Sequence, residues 1–170
     1  IYCEQNKPAL LVENLDAIKA QALRARGIID RIRMTAKQQT PGLQPCSLEE
    51  VVGNVLALLR FDLRQRKVRA LTHYADNLPN VNADRVLLEQ VVMNLVVNAL
   101  QAMQATPASR RVTPENASQL FQAFFTTKPD GLGLGLKICR TILEGHGGRL
   151  EFDNGPQGGA VFTVYLPIAP

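Results

Sequence analysis

Apolar residues recur at alternating spacings of four and three along the first part of the chain: Leu11, Leu15, Ile18, Ala22, Ala25, Ile29, Ile32 and Ala36. Such a heptad seam predicts a long helix over 11–38 that packs in a coiled coil or four-helix bundle. Glu13, Asp16, Lys19, Arg24, Arg26, Asp30, Arg31 and Arg33 flank the seam and form its solvated face. One helix cannot bury this seam alone, so a partner helix or a second chain is needed. An amphipathic helix packed on its own domain is the alternative.

Thr40-Pro41-Gly42 ends that helix, and 40–46 reads as a linker. Ser47-Leu48-Glu49-Glu50 has the spacing of a capping box, and an amphipathic helix follows to about Arg66. Residues 67–74 read as a strand, with His73 as one of its surface residues, and Asn77-Leu78-Pro79-Asn80 turns the chain. Asp84 is placed to cap a helix from Arg85 to about Ala105, whose apolar face includes Leu88, Val91, Val92, Leu95, Val96, Ala99 and Met103. Thr113-Pro114-Glu115 opens a short helix. Phe121, Phe124 and Phe125 then mark a packing hub. A last helix, 134–143, ends at Gly147-Gly148, with His146 favoured there by the helix dipole. Residues 149–153 and 160–166 alternate as two strands, and Asn154-Gly155 begins the turn between them.

Composition narrows the function. A chain of 170 residues with 46% hydrophobic residues can bury a core. The net charge of +4 is dispersed, and with no Trp and three Tyr the chain lacks stacking residues, so no nucleic-acid surface is expected. Cys3, Cys46 and Cys139 are odd in number and far apart, which fits structural thiols in a reducing compartment. No apolar run approaches the ~18 residues of a membrane span.

Two stretches carry candidate chemistry. In Gly131-Leu132-Gly133-Leu134-Gly135-Leu136, glycines alternate with leucines and lead into a helix. Glycines admit close backbone approach, and a helix start offers free N–H groups to a phosphate; a flexible lid would look similar. Asn94 and Asn98 project from one face of an apolar helix, where asparagine is unfavourable. Either they are buried amide partners or they share a polar ligand such as hydrated Mg²⁺. Lys128, close before the glycines, could reach a phosphate.

These stretches together resemble sensor histidine kinases. Residues 88–99, with Asn94 and Asn98, resemble the family's N box; 120–128 resemble its F box; Gly131 to Leu136 resemble its second glycine box, followed by Glu144-Gly145-His146-Gly147-Gly148. The wording around Phe124-Phe125-Thr126-Thr127-Lys128 is closest to kinases sensing oxygen, nitrogen status or dicarboxylates. The resemblance implies an α+β fold: a two-layer α/β sandwich of the Bergerat type, preceded by a long helix of a dimeric four-helix bundle. Residues 1–43 would be the C-terminal part of the dimerisation and phosphotransfer hairpin, and 44–170 the ATP-binding catalytic domain. Asn98, helped by Asn94, would hold Mg²⁺; Lys128 would meet the terminal phosphates of ATP; Gly131, Leu132, Gly133, Leu134, Gly135 and Leu136 would line the triphosphate. The implied partners are a second copy, through helix 11–38, and a response-regulator receiver domain. The location would be cytoplasmic, with any membrane link N-terminal to Ile1. ATPases of this fold carry a water-activating glutamate where Asn94 stands, so transfer to a protein side chain is expected.

Two family parts are absent. His73 and His146 are the chain's histidines, both in the ATP-binding region, so no phosphoacceptor lies within residues 1–43, and the first hairpin helix, where the family carries it, is expected to be largely absent. The adenine-reading Asp-x-Gly-x-Gly, expected between the asparagine helix and Val112, is missing with two strands of about 5–6 residues each. A segment is therefore expected to be missing between Arg111 and Val112. A degenerate, non-catalytic dimerisation module and a Bergerat-fold ATPase or serine kinase are the competing readings.

Overall fold

The computed structural model describes residues 42–103, 112–127, 133–156 and 158–170. The chain divides into two units, 1–40 and 41–170, and all described residues belong to the second. The seam helix over 11–38 lies outside them.

Strand β1 (Gln44–Cys46) pairs antiparallel with β2 (Val81–Ala83), Cys46 opposite Val81. Between them run helices α1 (Leu48–Leu58) and α2 (Arg60–Gln65). Helix α3 (Arg85–Ala102) follows β2, and the short α4 (Pro114–Gln119) precedes α5 (Gly135–Gly145). A hairpin of β3 (Arg149–Asn154) and β4 (Ala160–Tyr165) closes the chain, with Phe152 and Phe162 paired across it at a ring separation of 5.4 Å. Just after β4 the chain crosses to β2. There the Asn82 N–H donates to the Pro167 carbonyl at 3.1 Å and the Ala169 N–H to the Asn80 carbonyl at 2.8 Å. The result is an α+β sandwich, with α5 lying on β3, α3 on α5, and α1 on α3.

Local chemistry explains the helix starts. The Ser47 hydroxyl accepts from the Glu50 N–H at 3.4 Å. Glu50 itself turns away to Arg85, 3.1 Å distant, so its carboxylate serves the α1–α3 contact. The Asp84 carboxylate accepts from the N–H groups of Val86 (3.0 Å) and Leu87 (3.2 Å), and the Thr113 hydroxyl accepts from the Asn116 N–H. Val51, Val55, Leu88, Val91, Cys139, Ile142, Leu143 and Leu150 fill the core between the helices and β3.

Two expectations need correction. The helix foreseen from Ser47 to Arg66 breaks at Leu59, where the buried column Val51, Val55, Leu59 ends; α2 beyond it buries nothing. Residues 67–74 form no strand. They run irregular, with Leu71 68% and Tyr74 41% exposed, because no described strand lies alongside to take their backbone hydrogen bonds.

Leu143 is fully buried where α5 meets β3. Leu143→Ala is expected to cost about 2–5 kcal/mol in denaturant unfolding, as truncation of a packed leucine does.

Candidate functional site

The site is built on the packing of α3 against α5, which run antiparallel. Three rungs define their register: Asp84 meets His146, Val91 meets Cys139, and Asn98 meets Gly135. At the last rung the Asn98 Nδ2 lies 3.7 Å from where a Cβ on Gly135 would sit, so the amide faces the first turn of α5 directly. One turn earlier, the Asn94 amide lies near enough to the Cys139 thiol to oppose the effect of burial on it, and that thiol reaches the Val91 carbonyl at 3.8 Å. Both asparagines are half-buried.

The start of α5 suits an anion. Its N-cap is Leu134, whose side chain can make no capping hydrogen bond. The first N–H groups are therefore left to backbone, water or a ligand, at the positive end of the helix dipole. Just before it, Gly133 has φ +63°. Its carbonyl accepts from the Phe124 N–H at 2.9 Å, tying the phenylalanine segment to the glycine loop. A Cβ on Gly133 would strike the backbone of Phe124 and come within 2.6 Å of the Phe125 carbonyl oxygen, so only glycine fits. Phe124 also has a left-handed backbone (φ +68°) and is 69% exposed, an arrangement held by this contact. Arg140 on α5 lies over the Phe121 ring at 5.6 Å and pairs with Glu144.

The structure thus brings Asn94, Asn98, Gly133, Leu134, Gly135 and Leu136 to one end of the α3–α5 pair. Lys128, Gly131 and Leu132 lie outside the described residues. Donor chemistry fits a hard cation through amide oxygens better than a thiolate or imidazole site, since no cluster of three His, Cys, Asp or Glu side chains occurs among the described residues. A separate polar cleft of about 410 Å³ lies between β1 and α1, lined by Gln44, Ser47, Glu50 and Arg85 among others, and contains none of the site residues.

Two contributors were not foreseen as such. Cys139 was taken only as a structural thiol, yet it is the partner of Asn94. His146 was assigned to the helix dipole, yet it is buried at 4% exposure with both ring nitrogens engaged. The only sequence signal for the latter is its place just before two glycines.

Comparison with known proteins identifies the arrangement. Residues 108–170 match the family of histidine kinase-, DNA gyrase B- and HSP90-like ATPases. The C4-dicarboxylate transport sensor protein DctS of Rhodobacter capsulatus is 35% identical over 97% of this chain and 29% of its own length. The catalytic domain of the histidine kinase ThkA in a nucleotide-free form superposes with a TM-score of 0.64 at 26% identity, covering 74% of this chain and 95% of that one. A crystal structure of ThkA in complex with the response regulator protein TrrA is similar in fold (TM-score 0.71, 24% identity), covering 99% of this chain and 54% of that one. The chain spans about a third or less of the curated relatives it matches most strongly. The alignment with DctS runs over 190 positions but takes in 97% of the 170 residues here, so roughly 25 positions of DctS have no counterpart.

Two outcomes follow from the geometry. Gly133→Ala is expected to lower stability by about 1–3 kcal/mol, the scale of a forced backbone, and to speed amide exchange at Phe124. Burial pushes the Cys139 thiol from 9.0 up to about 11, opposed by the Asn94 hydrogen bond. The folded state therefore favours the neutral thiol, and this contribution is complete below pH 9.0 and is lost as pH rises to about 11. Unfolding free energy measured across that window should fall more steeply in the parent chain than in Cys139→Ala.

Proposed function

This chain belongs to the sensor histidine kinases of the histidine kinase-, gyrase B- and HSP90-like ATPase family, and on that premise we propose that residues 44–170 form the ATP-binding catalytic domain of a protein-histidine kinase. Residues 1–43 belong to the dimerisation and phosphotransfer hairpin in this reading, and a second copy docks through helix 11–38. The single observation that carries the site assignment is Asn98 set against the uncapped start of α5. There the Asn98 side-chain amide lies beside the first turn of a helix that has no side-chain cap, an arrangement suited to a metal-bound phosphate.

Each residue has a task in that reading. The N–H groups from Gly135 onward receive phosphate oxygens, and Gly133 and Gly135 let the backbone come close. Asn98 holds Mg²⁺ and Asn94 supports it, itself oriented by Cys139. Lys128 reaches the terminal phosphate. Bound ATP with Mg²⁺ supplies the transferable phosphoryl group and neutralises its charge. The chain's own contribution is placement and electrostatic stabilisation, which is most of what phosphoryl transfer needs. Asn94 cannot deprotonate water, so the acceptor is a protein side chain: a histidine of the hairpin, and from it an aspartate of a response regulator. No helix among the described residues is long and apolar enough to cross a membrane, in keeping with a cytoplasmic kinase core.

The roughly 25 positions present in DctS and absent here belong, in our reading, between Arg111 and Val112. Three features support that location. The described strands form two separate pairs. Residues 68–75 take up no regular structure and pair with no described strand. At Val112 the backbone N–H donates to the Asn154 Oδ1 and the carbonyl accepts from the Asn154 Nδ2, both at 2.9 Å, as a residue at a sheet margin would. Two strands and their turns account for a stretch of this length. The same gap favours a second reading, a dimerisation module without nucleotide.

The test is Mg²⁺-dependent binding of a fluorescent ATP analogue. It compares this chain with one carrying the matching stretch of DctS between Arg111 and Val112. The extended chain is expected to bind at least tenfold more tightly, and Asn98→Ala within it to lose at least tenfold, about 1.4 kcal/mol. An extended, folded chain that binds no analogue would leave the module reading standing and remove the kinase.

A further inference from the structure

His146 stands at the opposite end of the α3–α5 pair from Asn98. Asp84 and Asn98 are fourteen residues apart on or beside one helix, so about 20 Å separates them at 1.5 Å per residue. Yet His146 makes the most directional contact between the two helices. Its Nδ1 lies 2.7 Å from the Ile142 carbonyl, which can only accept, so Nδ1 carries the proton. Its Nε2 lies 2.9 Å from the Asp84 backbone nitrogen, which can only donate, so Nε2 is bare. The two partners together select the neutral Nδ1–H tautomer.

Both ends of this link are anchored. Asp84 is the residue from which α3 begins: its carboxylate caps Val86 and Leu87, and its carbonyl accepts from the Leu88 N–H at 3.0 Å. His146 closes α5: its own N–H bonds back to Ile142 and Leu143, the Gly148 N–H to Leu143, and Gly147 turns left-handed at φ +70°. The imidazole thus bolts the last turn of α5 to the first residue of α3.

Along the middle of the seam the Cys139 thiol reaches the Val91 carbonyl only at 3.8 Å, and the apolar groups around it set register weakly. Val91, Cys139, Ile142 and Leu143 are apolar and rounded, and attraction between such groups is non-directional. At the site itself Gly135 offers no side chain to key against Asn98. A slide by one residue would move Asn98 about 1.5 Å along the glycine helix. A misplacement of that size takes a ligand group off its target.

We propose that His146 is a positioning residue for the nucleotide site, fixing the register of α3 on α5 and so the place of Asn98 before the N-terminus of α5. The proposal rests on the nucleotide-site reading above, and its test separates the two. In the DctS-extended chain, His146→Leu keeps volume but neither hydrogen bond, whereas His146→Gln offers both a donor and an acceptor. His146→Leu is expected to shift the Asn98 side-chain amide resonance and weaken ATP-analogue binding at least tenfold. His146→Gln is expected to restore the resonance and bring affinity within threefold of the parent. A folded leucine variant with parental affinity and an unmoved Asn98 signal overturns the proposal. So does ¹⁵N spectroscopy of the parent chain finding the Nε2–H tautomer, a readout that holds even if the leucine variant does not fold. Should the parent bind no nucleotide while the Asn98 signal still follows His146, the register claim stands and the nucleotide reading fails.

Discussion

The contact of α3 with α5 is the constraint from which the rest of this structure follows. α3 carries the two asparagine amides, and α5 begins beside them without a side-chain cap. Their shared interface is almost wholly apolar along its middle, through Val91, Cys139, Ile142 and Leu143, and this makes it stable without making it specific. Specificity enters at the two ends. At one, a buried imidazole spans from the Ile142 carbonyl to the Asp84 N–H; at the other, a glycine yields its space to an asparagine. Two asparagines in so hydrophobic a helix both face α5: Asn94 lies by the Cys139 thiol, and Asn98 lies beside the first turn of the helix.

A second constraint acts on the sheet. Strands need neighbours, and the described strands form two separate antiparallel pairs. β1–β2 and β3–β4 are held together by the stretch after β4, through Pro167, Ile168 and Ala169, rather than by a continuous ladder. Leu71 and Tyr74 remain in solvent where a strand would have used them. Exposed apolar groups and open edges on this scale are what folded domains ordinarily avoid. The helical layer is intact because its contacts are among α1, α3 and α5 themselves.

Features decided within a few residues could be read from the sequence. Ser47, Asp84 and Thr113 each cap as their spacing to the next N–H groups demands, and Gly147-Gly148 ends α5, because caps and left-handed turns depend on neighbours along the chain. The meeting of Asn98 with the glycine helix was legible only through a family resemblance, since nothing in the spacing of residues 98 and 135 states that they touch. The strand expected at 67–74 was misjudged for a complementary reason: its pattern was suitable, but a strand is completed by a partner distant in sequence. His146 was the hardest. A histidine before paired glycines fits a helix end equally well in solvent or buried, and only the position of Asp84, sixty-two residues away, turns it into a link.

Asn94 connects these threads to the chemistry. A carboxylate in its place would sit beside the buried Cys139 thiol, which already resists ionisation, and would be poorly solvated there. An amide can donate to the sulfur without carrying charge, while the thiol's own proton is directed to the Val91 carbonyl, so the environment built by α5 favours asparagine over an ionised base at that turn of α3. The packing of α3 on α5 thus disfavours a buried charge at the turn that carries Asn94.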